Sequence, residues 1–103
     1  MHYTISERVD VTTMTVEGAV DVRTVGEFRE RLCSLVDSGR PVVLDLSSVT
    51  FLDAVGLGVL VGAHRRARRM GTRLVLTDVS PPLMSLLRST RLDSVLDVVV
   101  RVA

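Results

Sequence analysis

The sequence predicts an α/β fold: a single domain with a mixed β-sheet and with helices mainly on one face of that sheet. A length of 103 residues suits one domain and leaves little room for a second. Apolar residues recur in the order strand, strand, helix, strand, helix, strand, helix, strand. Helical crossovers predict parallel pairing with a right-handed turn, whereas the first two strands are close enough in sequence to pair antiparallel.

The composition predicts an aliphatic core and argues against several classes of protein. Hydrophobic residues make up 47% of the chain but aromatic residues only 3%. A net charge of +1 is too close to neutral to suggest nucleic-acid binding. The first ten residues, MHYTISERVD, lack the apolar core of a signal peptide, and no stretch approaches the ~20 apolar residues of a membrane span. We therefore expect a cytoplasmic protein without membrane insertion.

Alternation of apolar and polar residues over positions 3–16 predicts two short strands, with Glu7 and Arg8 near the turn between them. The second strand is expected to end at Gly18 to Val20. Asp21 or Thr24 could cap the helix that follows. That helix carries apolar residues at steps of three and four, namely Val25, Phe28, Leu32, Leu35 and Val36. Cys33, the single cysteine, lies on it and is expected to be a buried or half-buried thiol.

The centre of the chain predicts a buried strand, a short loop and a long helix. The strand is expected to run from Pro41 to Leu46. Asp53 is well placed as the helix N-cap, because its carboxylate can accept from amides that the first turn leaves unpaired. The helix should extend from about Val55 to Met70, with Gly71 as a left-handed C-terminal cap.

The central helix is more apolar than one sheet-facing side requires. Four apolar residues crowd into five positions, Leu57, Val59, Leu60 and Val61, and at about 100° per residue they cannot all face one sheet. Some are therefore expected to face outward. Two interpretations remain: a helix buried on two sides, or a surface that meets another protein.

Three glycines in the same helix, Gly56, Gly58 and Gly62, each weaken it by roughly 1 kcal/mol relative to alanine. The expected reason for them is close approach of another backbone, either from this chain's own sheet or from a partner.

The last third of the chain predicts a strand, a short helix and a final strand. Leu74 to Leu76 form an apolar run of strand length. Ser80 is expected to cap a third helix that has Pro81 in its first turn. The final strand is predicted from Val98 to Val102.

Two segments resemble a known family. Residues 46–71, LSSVTFLDAVGLGVLVGAHRRARRMG, resemble the signature segment of the STAS domain, in particular that of bacterial anti-sigma factor antagonists. Its typical form is an Asp, a phosphorylatable Ser or Thr, a second small residue, then Gly-Leu-Gly. Residues 18–32, GAVDVRTVGEFRERL, resemble the family's segment before its first helix. The order of elements agrees over nearly the whole chain, so residues 1–103 are identified as one STAS-like domain.

The resemblance implies a function and a site. The chain would bind an anti-sigma factor of the serine-kinase type and so release a sigma factor. It also implies that Asp21 lies close to the signature loop and shares a face with Asp53, although a helix cap without partner contact is an equal alternative for Asp21. The expected partner-binding residues are Asp21, Asp53, Ala54, Val55, Gly56, Leu57, Gly58, Leu60 and Val61.

The sequence departs from the family pattern at the phosphorylated position. Ala54 stands where the family carries the hydroxyl, and Val55 follows it. A phosphate adds about −1.5 to −2 charges and can disrupt an interface. Because alanine accepts no phosphate, we expect an antagonist that is permanently able to bind or that is controlled in another way. The nearby hydroxyls of Ser47, Ser48 and Thr50 are expected to make turn and loop hydrogen bonds.

The resemblance also implies a C-terminal helix after the last strand. The sequence stops at Ala103, so we expect this helix to be reduced or absent.

Nothing in the sequence indicates an enzyme, a cofactor or a metal site. The two histidines, His2 and His64, form no catalytic or metal-binding pattern, and His64 is expected at the surface or edge of the helix. The glycines do not match GxGxxG, although weak nucleotide or phosphate binding at the helix start remains open. The arginines at 65, 66, 68 and 69 are expected to be a solvated helix end, with contact to an acidic partner as second choice and nucleic acid a distant third.

A second functional class is compatible with the same residues. The chain could be a STAS accessory subunit of a larger assembly, such as a lipid-transport ATPase complex or a stress-signalling scaffold. Ala54 suits that role at least as well, since a constant subunit needs no switch. A homodimer is a further alternative.

Overall fold

A computed structural model describes residues 1–99 of the chain. The strands are β1 (His2–Glu7), β2 (Thr12–Val20), β3 (Val42–Leu52), β4 (Leu74–Thr77) and β5 (Asp97–Val99). The helices are α1 (Val25–Asp37), α2 (Ala54–Arg69) and α3 (Pro81–Ser89), and a 3₁₀ turn spans Leu92–Ser94.

The five strands form one mixed sheet in the order β1-β2-β3-β4-β5. β1 pairs antiparallel with β2, and every later pairing is parallel. Each parallel pair is joined through a helix, so the prediction of antiparallel pairing first and parallel pairing afterwards is confirmed.

One face of the sheet carries the core. Alternate residues of the central strands are fully or almost fully buried: Met14 and Val16 on β2, Val42, Leu44 and Leu46 on β3, Leu74 and Leu76 on β4. The residues between them, such as Val43 and Val75, are only half-buried. Phe28 is the one aromatic residue in this core among residues 1–99. The predicted aliphatic core, with helices mainly on one face, is therefore confirmed.

The first helix and its surroundings follow the prediction closely. Val25, Phe28, Leu32 and Val36 are buried, Leu35 is half-buried, and Cys33 is half-buried as expected. The turn between β1 and β2 is closed by a hydrogen bond from the Arg8 amide to the Val11 carbonyl at 2.9 Å.

β3 is longer than predicted. The expected end at Leu46 is wrong, because the strand continues to Leu52 beside β2, with Val20 opposite Leu52. Serine and threonine favour turns locally, but pairing with β2 satisfies the backbone and overrides that preference. β4 reaches only as far as Asp45, which lies opposite Thr77. Beyond Asp45, β3 has a strand neighbour on one side only within residues 1–99.

The ends of α2 confirm the predicted caps to within one residue. The helix begins at Ala54 with Asp53 as N-cap and ends at Arg69 with Met70 as C-cap. Gly71 has a φ of +73°, the left-handed conformation expected after the helix.

The orientation of the apolar residues on α2 corrects the sequence analysis. Leu57, Val59 and Leu60 are only 7%, 4% and 0% exposed, and Val61 is half-buried. Of the two interpretations, the structure therefore favours a helix that is buried on more than one side. His64, expected at the surface or edge, is 4% exposed, so that expectation is wrong. The reason is that α2 packs against α1 as well as against β3 and β4 of the sheet, which widens its buried arc.

Close approach of this chain's own backbone does not explain the three glycines of α2. A Cβ at Gly58 or Gly62 would have no neighbour within 4 Å among residues 1–99. A Cβ at Gly56 would lie 2.9 Å from Leu52 Cγ and 3.3 Å from Val20 Cγ1, which are side-chain atoms. The expectation of approach by the chain's own backbone is therefore wrong, and only Gly56 is required by the packing of the sheet.

The end of the chain is described in part. Ser80 occupies the N-cap of α3 with Pro81 next, as predicted, but its side chain makes no capping bond. β5 is described from Asp97 to Val99. The remainder of the predicted last strand and the predicted reduction of a C-terminal helix lie outside the described residues. No helix within residues 1–99 is long and apolar enough to cross a bilayer.

Candidate functional site

The start of α2 directly follows the end of β3. Asp53 has an extended backbone, and its Oδ1 accepts a hydrogen bond from the Gly56 amide at 3.0 Å. Its carbonyl oxygen accepts from the Leu57 amide at 2.9 Å. The first bond satisfies an amide that the first helical turn leaves unpaired, and the second is the first regular hydrogen bond of the helix. They fix the helix start one residue after the strand.

Asp21 and Asp53 lie at the same end of the sheet. Each follows the last paired residue of its strand, Val20 or Leu52. The Asp53 amide donates to the Val20 carbonyl at 3.5 Å, which ties the two strand ends together. The structure thus places both residues at the end of the sheet where α2 begins.

The carboxylate of Asp21 supports the turn before α1. Its Oδ1 accepts from the Arg23 amide at 2.9 Å, and its Oδ2 lies 3.9 Å from Arg23 Nη2. Thr24, not Asp21, is the N-cap residue of α1, and its hydroxyl oxygen accepts from the Asp21 amide at 3.0 Å. Asp21 therefore stabilises the turn, with its side chain 26% exposed.

One side of α2 is accessible and nearly flat. We call it the α2 strip, and its members are Ala54, Val55, Gly58, Val61 and Gly62. All are exposed except Val61, which is half-buried. Val55 is the largest exposed side chain of the strip, at 47%. Because Gly58 and Gly62 have no side chains and open space above them, another chain could come close to the helix backbone here.

Three of the expected partner-binding residues are buried instead. Gly56, Leu57 and Leu60 face the interior of the molecule. They cannot touch a partner in this conformation, so their part is to hold α2 on the sheet.

Two exposed apolar side chains outside the predicted partner-binding set lie at or next to the ends of β2 and β3. Val22 is 77% exposed and follows Asp21, and Phe51 is 54% exposed and precedes Leu52. The exposure of Phe51 follows from strand alternation. Because β3 extends to the buried Leu52, the preceding residue, Phe51, points to the opposite face of the sheet. Val22 lies outside the apolar period of α1, and this feature of the sequence could have predicted that Val22 is exposed.

A groove of about 380 Å³ separates the end of β3 from α3. Its lining is mostly apolar and consists of Val49, Thr50, Phe51, Leu52, Ser80, Pro82, Leu83 and Leu86. Through Phe51 and Leu52 the groove lies next to the start of α2.

The hydroxyls before the helix are free rather than structural. Ser47, Ser48 and Thr50 are exposed, and none of their hydroxyls makes a hydrogen bond within residues 1–99. The expected turn and loop hydrogen bonds are therefore wrong, because these residues belong to β3. Ala54 itself is exposed and carries no hydroxyl.

Charge is distributed unevenly along α2. The α2 strip has no charged side chain, two aspartates lie at its start, and arginines occupy 65, 66, 68 and 69. Arg66 binds Asp37 of α1 through two hydrogen bonds of 2.5 and 2.8 Å. This pairing lowers the pKa of Asp37 and raises the pKa of Arg66. Residues 1–99 contain no group of three or more His, Cys, Asp or Glu residues that could hold a metal ion.

Comparison with known proteins gives consistent matches. Residues 3–100 match a family model described as "Mlab, STAS domain". An anti-sigma-B factor antagonist of Bacillus subtilis is 31% identical over 85 residues, covering 82% of this chain and 78% of that protein. An anti-sigma-B factor antagonist of Listeria monocytogenes is 33% identical over 96 residues, covering 91% and 84%.

A solved structure supports the same fold. The crystal structure of an anti-sigma factor antagonist from Mycobacterium paratuberculosis superposes with a TM-score of 0.86 over 98% of this chain and 86% of that one. Sequence identity in that match is 22%, so it bears on the fold alone.

Proposed function

This chain belongs to the STAS domain family, and from that membership we propose that it is an anti-sigma factor antagonist. It would bind an anti-sigma factor and thereby release the sigma factor which that protein holds. Relatives named for this activity are 31% and 33% identical over more than four fifths of the chain. The structural observation that carries the proposal is the accessible, uncharged α2 strip beside Asp53.

The partner would contact the exposed members of the predicted set. These are Asp21, Asp53, Ala54, Val55, Gly58 and Val61, and we add Val22 and Phe51 as flanking apolar contacts. A surface with small side chains lets a partner's backbone or helix approach closely. Apolar atoms removed from water then contribute roughly 25 cal/mol per Å². Gly56, Leu57 and Leu60 would act indirectly, by fixing the helix.

We further propose that this antagonist is permanently able to bind. Ala54 directly follows the N-cap on the exposed side of α2, so a phosphate on a side chain there would face the partner. Alanine has no acceptor for it. The partner would be an anti-sigma factor of the serine-kinase type that fails to phosphorylate this position.

The proposal carries two corollaries. The protein would act by binding alone and would catalyse no reaction. Because a sigma factor works with RNA polymerase, the complex would form in the cytoplasm.

Binding can be tested by calorimetric titration of the intact chain against a kinase-type anti-sigma factor from the same organism. Replacing Val55 by Asp puts a charge in the centre of the contact and should weaken binding by at least about tenfold, since a desolvated unpaired charge is costly. Val9→Asp is the matched control. Val9 is 98% exposed in the turn at the opposite end of β2, so this variant should bind normally. Equal binding by both variants would count against the α2 strip.

The absent switch can be tested by intact-mass measurement after incubation with the same kinase and ATP. The natural chain should gain no phosphate. Ala54→Ser should gain one and then lose affinity, while the same variant without ATP should still bind. Stoichiometric phosphate on the natural chain, at Ser47, Ser48 or Thr50 for example, would contradict the proposal.

A second candidate is a constant accessory subunit of a larger assembly, such as a lipid-transport ATPase complex or a stress-signalling scaffold. The observation in its favour is Ala54, since a permanent subunit needs no phosphate switch. Co-purification from native cells discriminates between the two. An anti-sigma factor in the complex supports antagonism, and subunits of an ATPase support the alternative.

A further inference from the structure

We propose that a cavity at the far end of α2 binds a small oxyanion of the phosphate class. The cavity has a volume of about 340 Å³ and lies between α2, β4 and the start of β5. Its lining residues are His64, Arg68, Thr72, Arg73, Leu74 and Asp97. It lies near the C-terminal end of α2, whereas the α2 strip begins at the N-terminus, so the two sites are separate and the proposals are independent.

Two buried polar side chains in this cavity lack partners. His64 is 4% exposed, and its imidazole makes no hydrogen bond within residues 1–99. Thr72 is 8% exposed, and its buried hydroxyl oxygen has no hydrogen-bond partner in the described part of the chain. Buried polar groups in folded proteins are nearly always hydrogen-bonded, so His64 and Thr72 have hydrogen-bonding capacity that residues 1–99 leave unused.

The charged residues of the cavity favour an anion. Arg68 lies one helical turn after His64, on the same flank of α2, and has no ion-pair partner among residues 1–99. Arg73 is held only loosely, with its Nε 3.9 Å from Asp97 Oδ2. Asp97 is the one acidic residue in the lining, against two arginines, so the formal charge is +1 with His64 neutral.

The surroundings strengthen this preference. Arg65 and Arg69 are exposed on the neighbouring turns of α2, and neither has an ion-pair partner within the described part of the chain. Together with Arg68 they create a positive potential around the cavity mouth. Such a potential raises the local concentration of anions.

The balance of donors and acceptors identifies the ligand class. Two guanidinium groups, one imidazole N–H and one hydroxyl can donate, whereas a carboxylate on Asp97 is the main acceptor and already faces Arg73. A cation would be repelled by both arginines. An apolar molecule would leave His64 and Thr72 unpaired. A phosphate-type oxyanion offers several acceptor oxygens and matches guanidinium geometry.

The test is an NMR titration of the intact chain with inorganic phosphate at constant ionic strength. Saturable shifts should concentrate on the amides around His64, Thr72 and Asp97. Arg68→Gln should weaken binding by about tenfold or more, because charge-assisted hydrogen bonds are lost. Arg65→Gln is the matched control: it removes the same charge one turn earlier, outside the lining, and should change the dissociation constant by less than about threefold.

Two further variants distinguish a specific binding site from a general effect of positive charge. Thr72→Val keeps the shape of the side chain but removes the hydroxyl, and it should weaken binding severalfold. Asp97→Asn removes the opposing negative charge and should tighten binding. Shifts that rise linearly with phosphate, or equal losses in Arg65→Gln and Arg68→Gln, would overturn the proposal and indicate only diffuse attraction to the arginines. Loss of anti-sigma binding in a separate assay would leave this result unaffected.

Discussion

At the scale of single residues, Gly56 and Gly58 are two glycines of the same helix, but Gly56 is closely packed and Gly58 is exposed. A Cβ at Gly56 would lie 2.9 Å from Leu52 Cγ, while one at Gly58 would contact no described residue within 4 Å. Alanine in a helix is favoured over glycine by roughly 1 kcal/mol. Overpacking a closed site costs about 1–3 kcal/mol. The same substitution should therefore have opposite effects at the two positions.

We expect Gly56→Ala to lower the free energy of unfolding by about 1 kcal/mol, because crowding against Leu52 and Val20 outweighs the gain in helix propensity. Gly58→Ala is its control and should raise that free energy by up to about 1 kcal/mol. Urea unfolding followed by circular dichroism measures both. Stabilisation of the chain by Gly56→Ala would show that Leu52 moves aside without cost.

Asp53 gives a second prediction at this scale. Asp53→Ala removes the acceptor of the Gly56 amide and should lower the free energy of unfolding by about 1 kcal/mol. Asp53→Asn retains a capping oxygen and should lose much less. Equilibrium unfolding of the three proteins decides the matter, and equal losses in both variants would mean that charge rather than capping is important.

Single-residue features were predictable where they depend on local chemistry. Asp53 as N-cap and Gly71 as left-handed cap follow from which side chains and backbone angles a helix end accepts. The burial of His64 could not be predicted from local chemistry. His64 lines a cavity together with Asp97 of β5, some thirty residues later in the chain, and no local pattern carries that information.

At the scale of elements, α1 and α2 are joined by an ion pair near the C-terminal end of each. Arg66 and Asp37 make a two-bond contact, with both side chains a little over 40% exposed. The hydrogen bonds and charge of Arg66 hold the pKa of Asp37 below its ordinary value of 3.8. A carboxyl whose pKa is lowered by folding adds stability when ionised, and this stability is lost as the pH falls through its folded pKa.

Asp37→Asn should therefore reduce stability at neutral pH, and the difference from the natural chain should shrink as the pH is lowered below about 4. Glu30→Gln on the same helix is the control, since Glu30 makes no ion pair within residues 1–99. Thermal unfolding at a series of pH values supplies the measurement. A difference that stays constant down to acid pH would mean that Asp37 acts through packing and not through its charge.

Elements were predictable in kind and order but less so in extent and orientation. β3 was placed correctly and ended six residues early, because Ser47, Ser48 and Thr50 resemble a loop when their pairing with β2 is unknown. The orientation of Leu57 and Leu60 on α2 was wrong for a related reason. A helical period identifies an apolar side, but its width depends on how many neighbours the helix has.

At the scale of the whole molecule, the sheet is unequally protected. β3 is central and contributes fully buried residues, whereas β1 is an edge strand whose side chains are mostly exposed. Regions with few buried apolar contacts open at lower free energy. Their amides should therefore exchange with solvent sooner.

Amide hydrogen exchange should be fastest, among the strands, in β1 and slowest in the Val42–Leu46 part of β3. Mass spectrometry or NMR on the intact chain measures this difference. The half of β3 beyond Asp45 should be intermediate, since among residues 1–99 it has a strand on one side only. Equal protection of β1 and β3 would indicate that the sheet opens as one unit.

The overall architecture was the most predictable property, because an alternating order of elements and short connections leave few ways to build a sheet. The groove beside α3 and the cavity around His64 were not predictable in this way. Both depend on distances between elements that are far apart in the sequence.

The two sides of α2 differ in what a mutation there would cost. Residues on the sheet side are held by the core, whereas Gly58 and Gly62 have free space above them. Adding a methyl group on the outer side would reshape the surface without disturbing the interior. Duplicated copies of such a gene could therefore diverge in partner choice through a few substitutions on the exposed side of α2. Paralogous proteins in one cell could then bind different partners while they share the same fold.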